Sequence, residues 1–170
     1  MKIELKNIKV NMSFSEETIC FTADLYMDGK KVGYCKNNGC GGDTDIHGIE
    51  KLYSDDIKKM EEYCKTLPKV KIGLHEYEQS LEGVIGDIID NYVNEREKKK
   101  FQKKMEKDML KWLILSKGDP NRYETVGWKK FTIQQMIEHP YGQLSLKKTI
   151  QNMKDKGYTI LNTNIPQEFM

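Results

Sequence analysis

The sequence predicts an α+β fold, in which an N-terminal antiparallel β-meander packs on a long helix and a layer of strands and helices follows at the C-terminus. Three observations predict this fold. Strand-like alternation with a tight-turn signal fills residues 3–36, a helical apolar stripe begins at Leu81, and later segments switch between strand and helix patterns. No repeat, low-complexity tract or linker divides the chain, so residues 1–170 are predicted to form a single domain.

The meander is predicted from three strand-like segments. In the first, residues 3–10, one irregular step between Leu5 and Ile8 interrupts the alternation and indicates a β-bulge. Asp28 and Gly29 separate the next two segments, and they supply the positive φ angles that a type I′ hairpin requires. The more apolar face of the second strand consists of every other residue, namely Phe21, Ala23, Leu25 and Met27.

Two helices are predicted in the middle of the chain. The first has Ser54 as its N-cap and ends at Pro68, and its apolar spacing places Cys64 in the core. The second begins at Leu81 with a strong apolar stripe and continues through a charged segment to Met109. A helix of about 25 to 30 residues crosses a whole domain or projects from it.

The C-terminal part alternates between strands and helices. A nearly continuous apolar run at residues 110–115 predicts a buried strand, which a Gly-Asp-Pro-Asn turn at residues 118–121 ends. Thr132 and Ser145 are predicted to cap two short helices, and residues 158–163 form a closing strand.

The composition is typical of a soluble protein. Charged residues make up 32% of the chain and hydrophobic residues 38%, which is too polar for a membrane protein, while the aromatic content is too high for a disordered one. No run reaches the roughly 18 apolar residues of a spanning helix, and the N-terminus does not resemble a signal peptide. We therefore expect a cytoplasmic protein with no membrane partner, whose four cysteines are reduced thiols.

The glycine-rich stretch CKNNGCGGDTDIHG, residues 35–48, is the strongest candidate site. Glycine amides that adopt alternating conformations can form a concave nest for a phosphate, so this loop could bind a small anionic ligand such as a nucleotide. The stretch matches neither the P-loop nor the dinucleotide fingerprint, and a sharp turn without any ligand is the plainest interpretation. The predicted ligand-binding residues are Asn38, Gly39, Gly41, Gly42, Asp43 and Thr44.

The same stretch contains residue types that bind metals. Cysteine and histidine favour a tetrahedral zinc, with Cys64 as a further candidate ligand, whereas the two aspartates favour a harder ion. This alternative predicts a metal-dependent enzyme, although the sequence has neither a nucleophile elbow nor an HExxH motif and no catalytic residue is assigned. Apart from zinc, no cofactor is predicted. The candidate metal ligands are Cys35, Cys40, Asp43, Asp45 and His47.

The second half of the long helix is rich in lysine. Basic residues at helical spacing share one face, which could follow a nucleic-acid backbone or meet an acidic protein. Acidic residues interleave with them, as is typical of a solvated helix. An apolar edge at Phe101, Met105 and Met109 could form the seam of a homo-oligomer. The predicted nucleic-acid-binding residues are Arg96, Lys99, Lys100, Lys103 and Lys107.

Two segments together resemble a group of small proteins encoded by phages and mobile elements. These are CFTADLYMDGKKVGYCKNNGCGG, with the form LYxxGKKVGxxxNxGxGG, and KGYTILNTNIP, with the tail ILNTNIP. The resemblance implies that Asn38, Gly39, Gly41 and Gly42 belong to a loop that the group shares. It also implies a small accessory protein in the host cytoplasm, which neutralises or sequesters a host protein or another host component by binding and without catalysis.

Overall fold

The computed structural model describes residues 1–49, 54–119 and 121–170 and has the predicted α+β fold. Its helices and strands, in chain order, are β1 (Ile3–Val10), β2 (Phe21–Met27), β3 (Lys30–Asn37), β4 (Asp45–Gly48), α1 (Asp55–Lys65), β5 (Val70–Ile72), β6 (His75–Tyr77), α2 (Leu81–Met109), β7 (Leu113–Ser116), β8 (Glu124–Val126), α3 (Ile133–Glu138), α4 (Pro140–Asp155) and β9 (Thr159–Ile160). Two 3₁₀ turns lie at Met12–Phe14 and Gln167–Phe169.

The chain forms two compact units, an N-terminal unit of residues Met1–Glu95 and a C-terminal unit of residues Arg96–Met170. The boundary between them falls within α2, which contributes residues to both. Each unit has its own core of buried apolar side chains. The organisation as one domain stays a prediction.

The N-terminal unit contains an antiparallel sheet with the strand order β1-β2-β3-β4. Asp28 and Gly29 have φ angles of 49° and 84°, which confirms the predicted hairpin turn. The predicted bulge in β1 is also confirmed, since the register with β2 shifts around Asn7, whose φ is 52°. The fourth strand, β4, was missed by the sequence analysis because Ile46 is the only large apolar residue in it.

The core of this unit lies between the sheet, α1 and the first half of α2. The predicted apolar face of β2 is confirmed, since Phe21, Ala23 and Leu25 are buried and Met27 packs against them. Ser54 caps α1 by accepting a hydrogen bond from a backbone amide, and Cys64 is fully buried, as predicted. The side chains that α1 and α2 bury against the sheet are Ile57, Met60, Cys64, Leu81, Ile85 and Ile89.

The C-terminal unit contains a three-stranded antiparallel sheet with β7 at its centre, and every residue of β7 is buried. Thr132 caps α3 in a full capping box with Gln135, which confirms that cap. The predicted cap at Ser145 is wrong, because α4 already begins at Pro140, whose fixed φ suits the first helical position. Pro120, in the predicted turn after β7, lies outside the described residues.

The ILNTNIP tail joins the end of α2 to the C-terminal sheet. The side chain of Asn162 is buried, and its Oδ1 accepts a hydrogen bond of 2.6 Å from the Ile114 amide. Its Nδ2 donates to the Trp112 carbonyl at 3.0 Å, while Asn164 Nδ2 donates to the Met109 carbonyl at 2.9 Å. The tail therefore satisfies backbone groups that the end of a helix leaves without partners.

Candidate functional site

The glycine-rich loop between β3 and β4 is organised by the side chain of Asn37. This residue ends β3 and is only 7% exposed. Its Oδ1 accepts hydrogen bonds from the Thr18 hydroxyl at 2.7 Å and from the Gly39 amide at 2.8 Å. Its Nδ2 donates to the Gly42 carbonyl at 2.9 Å. One buried amide side chain therefore connects the two ends of the loop to the neighbouring segment at residues 15–18.

Gly39 fixes the loop against that segment. Its carbonyl accepts backbone hydrogen bonds from Glu16, Glu17 and Thr18 at 2.9, 3.1 and 3.3 Å. Its φ of 89° lies in the left-handed region, and a Cβ there would overlap the carbonyl oxygen of Phe14. Because both the conformation and the space exclude a side chain, glycine is required at this position.

The predicted phosphate nest depends on free backbone amides, and three amides of the loop already have partners. The Gly39 amide donates to Asn37, and the Gly41 amide donates to the Thr18 hydroxyl at 3.3 Å. The Thr44 amide donates to the Glu82 carboxylate at 2.6 Å. These three donors would have to exchange an internal bond for a bond to a ligand. Anion binding by the loop stays a prediction.

A cleft of about 520 Å³ lies beside the loop, between the segment around residues 15–19 and the first half of α2. Gly42 and Thr44 border it from the loop side. Its lining has no lysine or arginine within the described part of the chain and includes the carboxylates of Glu16, Glu17, Glu82 and Asp90. Their negative potential disfavours an anionic ligand in this cleft.

A second cleft, of about 500 Å³, lies on the other side of the Thr44–Glu82 hydrogen bond. Asp43 and Asp45, two of the predicted site residues, line it from the loop side, and Lys65 is its one basic lining residue within the described ranges. Asn38 and Cys40 are exposed to solvent and line neither cleft. The structure thus brings Gly42, Asp43, Thr44 and Asp45 to concave surfaces but leaves other predicted residues outside them.

Two of the candidate metal ligands, Cys40 and Asp43, lie in the loop, and the other three lie on opposite faces of the sheet. Cys35 pairs with Ile46 and points into the core, where burial raises the pKa of its thiol to about 12. His47 pairs with Tyr34 on the opposite face, where the two rings stack at a centroid distance of 4.6 Å. Asp45 forms an ion pair of 3.4 Å with Lys36.

This arrangement does not bring Cys35 and His47 together. Since successive residues of a strand point to opposite faces, a site on one face can include only one of them. Among the described residues, no three His, Cys, Asp or Glu side chains are grouped as metal ligands would be. The zinc site and the metal-dependent enzyme stay predictions.

Two residues that hold the loop in place, Asn37 and Glu82, are not among the site residues predicted from the sequence. Asn38 was assigned instead of Asn37, although the spacing of LYxxGKKVGxxxNxGxGG places the asparagine of the motif at 37. Period-two alternation from the buried Cys35 also predicts that Asn37 points inward. Glu82 carries no comparable signal, because its partner Thr44 is 38 residues away in sequence.

The basic face of α2, defined as Arg96, Lys99, Lys100, Lys103 and Lys107, is exposed to solvent. Every residue from 94 to 100 is exposed, so no side of the helix is covered there. Lys100 forms an ion pair of 2.6 Å with Glu97. The other four residues form no ion pair with any residue that the structure describes.

Two of the interleaved acids bond to other partners. Glu106 accepts a hydrogen bond from Gln102 at 3.2 Å, and Asp108 accepts one of 2.8 Å from the Tyr123 hydroxyl. Burial and the Asp108 carboxylate together raise the pKa of Tyr123 to about 12, so the phenol keeps the proton that it donates. Both acids therefore keep their negative charge but bond to neutral donors rather than to the lysines of the basic face.

The predicted oligomer seam is partly covered within the C-terminal unit, where Phe101 and Met105 are half-buried. Met109 is 5% exposed, and Phe101 makes an edge-to-face contact with Tyr123 at 5.3 Å between ring centroids. The expectation of an exposed apolar edge is therefore wrong for Met109, because the side chain packs into this unit. A homo-oligomer stays a prediction.

Formal charge is strongly segregated between the two units. Residues 1–95 contain 12 lysines and 18 acidic residues, a charge of −6, whereas residues 96–170 contain 16 basic and 8 acidic residues, a charge of +8. The total of +2 conceals this difference. A basic unit with an exposed basic helix is a surface suited to polyanions.

Comparison of the chain with known protein families, curated proteins and solved structures found no match. Among the described residues, no helix combines the length and the apolar character needed to cross a membrane.

Proposed function

We propose that the protein acts by binding rather than catalysis, as a small accessory protein that sequesters or neutralises a nucleic acid in the cytoplasm of a host cell. The observation that carries this proposal is the concentration of charge in the C-terminal unit, where a formal +8 accompanies the exposed basic face of α2. The resemblance of the hairpin and tail motifs to phage-encoded proteins supports the biological role.

The basic face has dimensions that suit a phosphate backbone. With a rise of 1.5 Å per residue, the eleven steps from Arg96 to Lys107 extend over about 16 Å. Phosphates along one strand of a duplex are about 3.4 Å apart along the axis, so this length corresponds to about five of them. Binding would release condensed counterions, which makes the affinity fall steeply as salt increases.

The test compares two variants with the same change in net charge. Lys99, Lys103 and Lys107 are replaced by glutamine in the first, and Lys30, Lys58 and Lys59 in the second. The second set lies in the acidic unit, where each lysine already pairs with an aspartate. The affinity of each protein for a fluorescently labelled 20-mer oligonucleotide is measured by fluorescence anisotropy between 50 and 300 mM salt.

We expect the first variant to bind more weakly and to lower the slope of log affinity against log salt by roughly 2 to 3. The second variant should behave like the unmodified protein, because its lysines are not part of the basic face. An equal loss in both variants, or an affinity that salt does not change, would contradict the proposal and favour a host protein as the partner.

A second candidate function is binding of a small anionic ligand beside the glycine-rich loop. The cleft of about 520 Å³ bordered by Gly42 and Thr44 favours it, and the four carboxylates in the cleft wall oppose it. Gly42→Val tests it with little risk to the fold, because a Cβ at Gly42 has no atom within 4 Å. A panel of nucleoside phosphates should raise the melting temperature of the unmodified protein and not that of the variant. If the melting temperature of neither protein changes, these nucleoside phosphates are not ligands of the protein.

A further inference from the structure

A shallow aromatic hollow of about 300 Å³ lies in the C-terminal unit, around the start of α4. Its lining is mainly apolar and includes no acidic residue within the described part of the chain. Phe131 and Tyr141 are 54% and 80% exposed, which is unusual for such large rings. Other lining side chains are those of Trp128, Gln135, Met136 and His139.

Two lysines stand directly beside this hollow. Trp128 and Phe131 are bridged across a tight turn, in which the Phe131 amide donates to the Trp128 carbonyl at 3.0 Å. Lys129 and Lys130 occupy the two central positions of the turn and are exposed. Neither forms an ion pair with a described residue. An aromatic residue therefore flanks each end of a pair of uncompensated cations.

The hollow is held in shape by buried contacts. The indole Nε1 of Trp128 donates to the Ser145 hydroxyl at 3.1 Å, which fixes the orientation of the ring. Met136 forms part of the wall and is only 4% exposed. Gly142 is buried, and a Cβ there would crowd the backbone of Met136. The exposed rings thus lie next to side chains and backbone whose positions are fixed by packing and hydrogen bonds.

We propose that the aromatic hollow receives an unpaired base of single-stranded nucleic acid, with the adjoining phosphates beside Lys129 and Lys130. Exposed rings next to lysines are the combination with which proteins bind single strands, since bases stack on aromatic side chains while cations follow the backbone. Paired bases in a duplex are already stacked and cannot enter. Charge complementarity favours this occupant over an apolar peptide, because the hollow lies in the unit of charge +8. The inference rests on the proposed function and adds a contact that only a single strand can make.

The experiment measures affinity for a single-stranded 20-mer and for the duplex of the same sequence at one salt concentration. The variants are Phe131→Ala and Tyr141→Ala, whose side chains are exposed enough for the fold to tolerate their removal. Leu144→Ala is the matched control, because Leu144 is 68% exposed on α4 but does not line the hollow. Circular dichroism checks that each variant is folded.

We expect each aromatic variant to weaken single-strand binding roughly 5- to 150-fold, the range that loss of one stacked base gives. Duplex binding and the control should change less than twofold. Tyr141→Phe should retain the affinity, because stacking needs the ring and not the hydroxyl. In a Trp112→Phe background, where Trp128 is the remaining tryptophan, the single strand should quench its fluorescence.

Other outcomes separate this inference from the proposed function. If the Lys99, Lys103 and Lys107 variant loses binding while Phe131→Ala and Tyr141→Ala do not, the basic face binds nucleic acid and the hollow does not. Failure to bind any oligonucleotide would overturn both. If the aromatic variants instead change the sedimentation coefficient of the free protein, the hollow is a contact between copies of this chain and the inference is wrong.

Discussion

Two buried asparagines have different structural roles, Asn37 in the N-terminal unit and Asn162 in the C-terminal unit. Each lies in one of the two motifs that define the resemblance. Asn162 bonds to backbone groups at Ile114 and Trp112, and therefore joins β7 to the end of α2. Asn37 bonds to the Thr18 side chain and to two glycines of an exposed loop. The tail motif thus stabilises the fold, whereas the loop motif shapes a surface beside a cleft.

The two asparagines also show how a structural role differs from a binding role within this single structure. An asparagine can donate and accept at once, so it replaces a missing segment of backbone pairing wherever the chain departs from regular structure. Both asparagines are used in this way. The residues of the proposed nucleic-acid site are elsewhere. On the basic face, Lys99, Lys103 and Lys107 form no ion pair with a described residue, and in the aromatic hollow the rings of Phe131 and Tyr141 are exposed.

The largest effect is expected for Asn162→Ala. The change leaves the Ile114 amide and the Trp112 carbonyl without partners in a buried region, at a cost of about 1 to 3 kcal/mol for each group. We expect the free energy of unfolding to fall by about 4 kcal/mol. Both tryptophans, Trp112 and Trp128, lie in the C-terminal unit, so their fluorescence in urea measures this loss.

Asn164→Ala is the control for that measurement, because Asn164 is half-buried and donates only to the Met109 carbonyl at 2.9 Å among the described backbone groups. This variant should lower the free energy of unfolding by about 1 kcal/mol. Equal losses for the two variants would show that the tail does not depend on the buried position of Asn162.

The next effect is expected within the glycine-rich loop, for Gly39→Ala. A side chain at a φ of 89° is strained, and its Cβ would overlap the Phe14 carbonyl, so we expect a loss of about 3 kcal/mol. Gly42→Ala should change stability by less than about 0.5 kcal/mol, because nothing lies within 4 Å of that Cβ. Amide hydrogen exchange in β2 and β3 measures both. Similar exchange rates in the two variants would contradict the prediction that glycine is required at position 39 but not at position 42.

A smaller loss is expected for Asn37→Ala. It removes the acceptor for the half-buried Thr18 hydroxyl and for the buried Gly39 amide, and water can replace only the first of these bonds. We expect the stability of the N-terminal unit to fall by about 2 kcal/mol, again measured by amide hydrogen exchange in β2 and β3. Asn38→Ala, at an exposed residue, should cause almost no change. A loss as large as that of Asn162→Ala would remove the contrast between the two motifs.

The sequence predicted most of the regular structure because the signals are local. The Asp28-Gly29 turn, the apolar face of β2 and the stripe of α2 each depend on residues within a few positions of one another. The pairing of β4 with β3 and the roles of the two asparagines depend on distant partners. Asn37 bonds to a residue 19 positions away and Asn162 to one 48 positions away, and composition gives no signal for such pairs. The charges themselves can be counted from the sequence. Their separation into an acidic and a basic unit becomes visible only when the structure gives the boundary between the units.

The smallest effect, over the single pH unit from 9 to 10, is the pH dependence that the buried thiol of Cys35 gives to the N-terminal unit. Burial raises the pKa of this thiol from 9.0 to about 12 in the folded protein, whereas the thiol of the unfolded chain ionises near its ordinary value. Above pH 9 the unfolded chain therefore releases a proton that the folded chain retains. The free energy of unfolding should fall with rising pH, by about 1.4 kcal/mol per pH unit from this group, until about pH 12.

Burial also raises the pKa of Cys64, so its thiol contributes a fall in the same direction. Cys35→Ala should make the decline between pH 9 and 10 shallower, because it removes the group that retains the proton. Cys40→Ala is the matched control, since the exposed side chain of Cys40 is not part of the core. Urea unfolding followed by far-ultraviolet circular dichroism measures all three proteins. If Cys35→Ala and the unmodified protein decline in parallel, the thiol is accessible to water, and the core beneath the glycine-rich loop is more open than the structure shows.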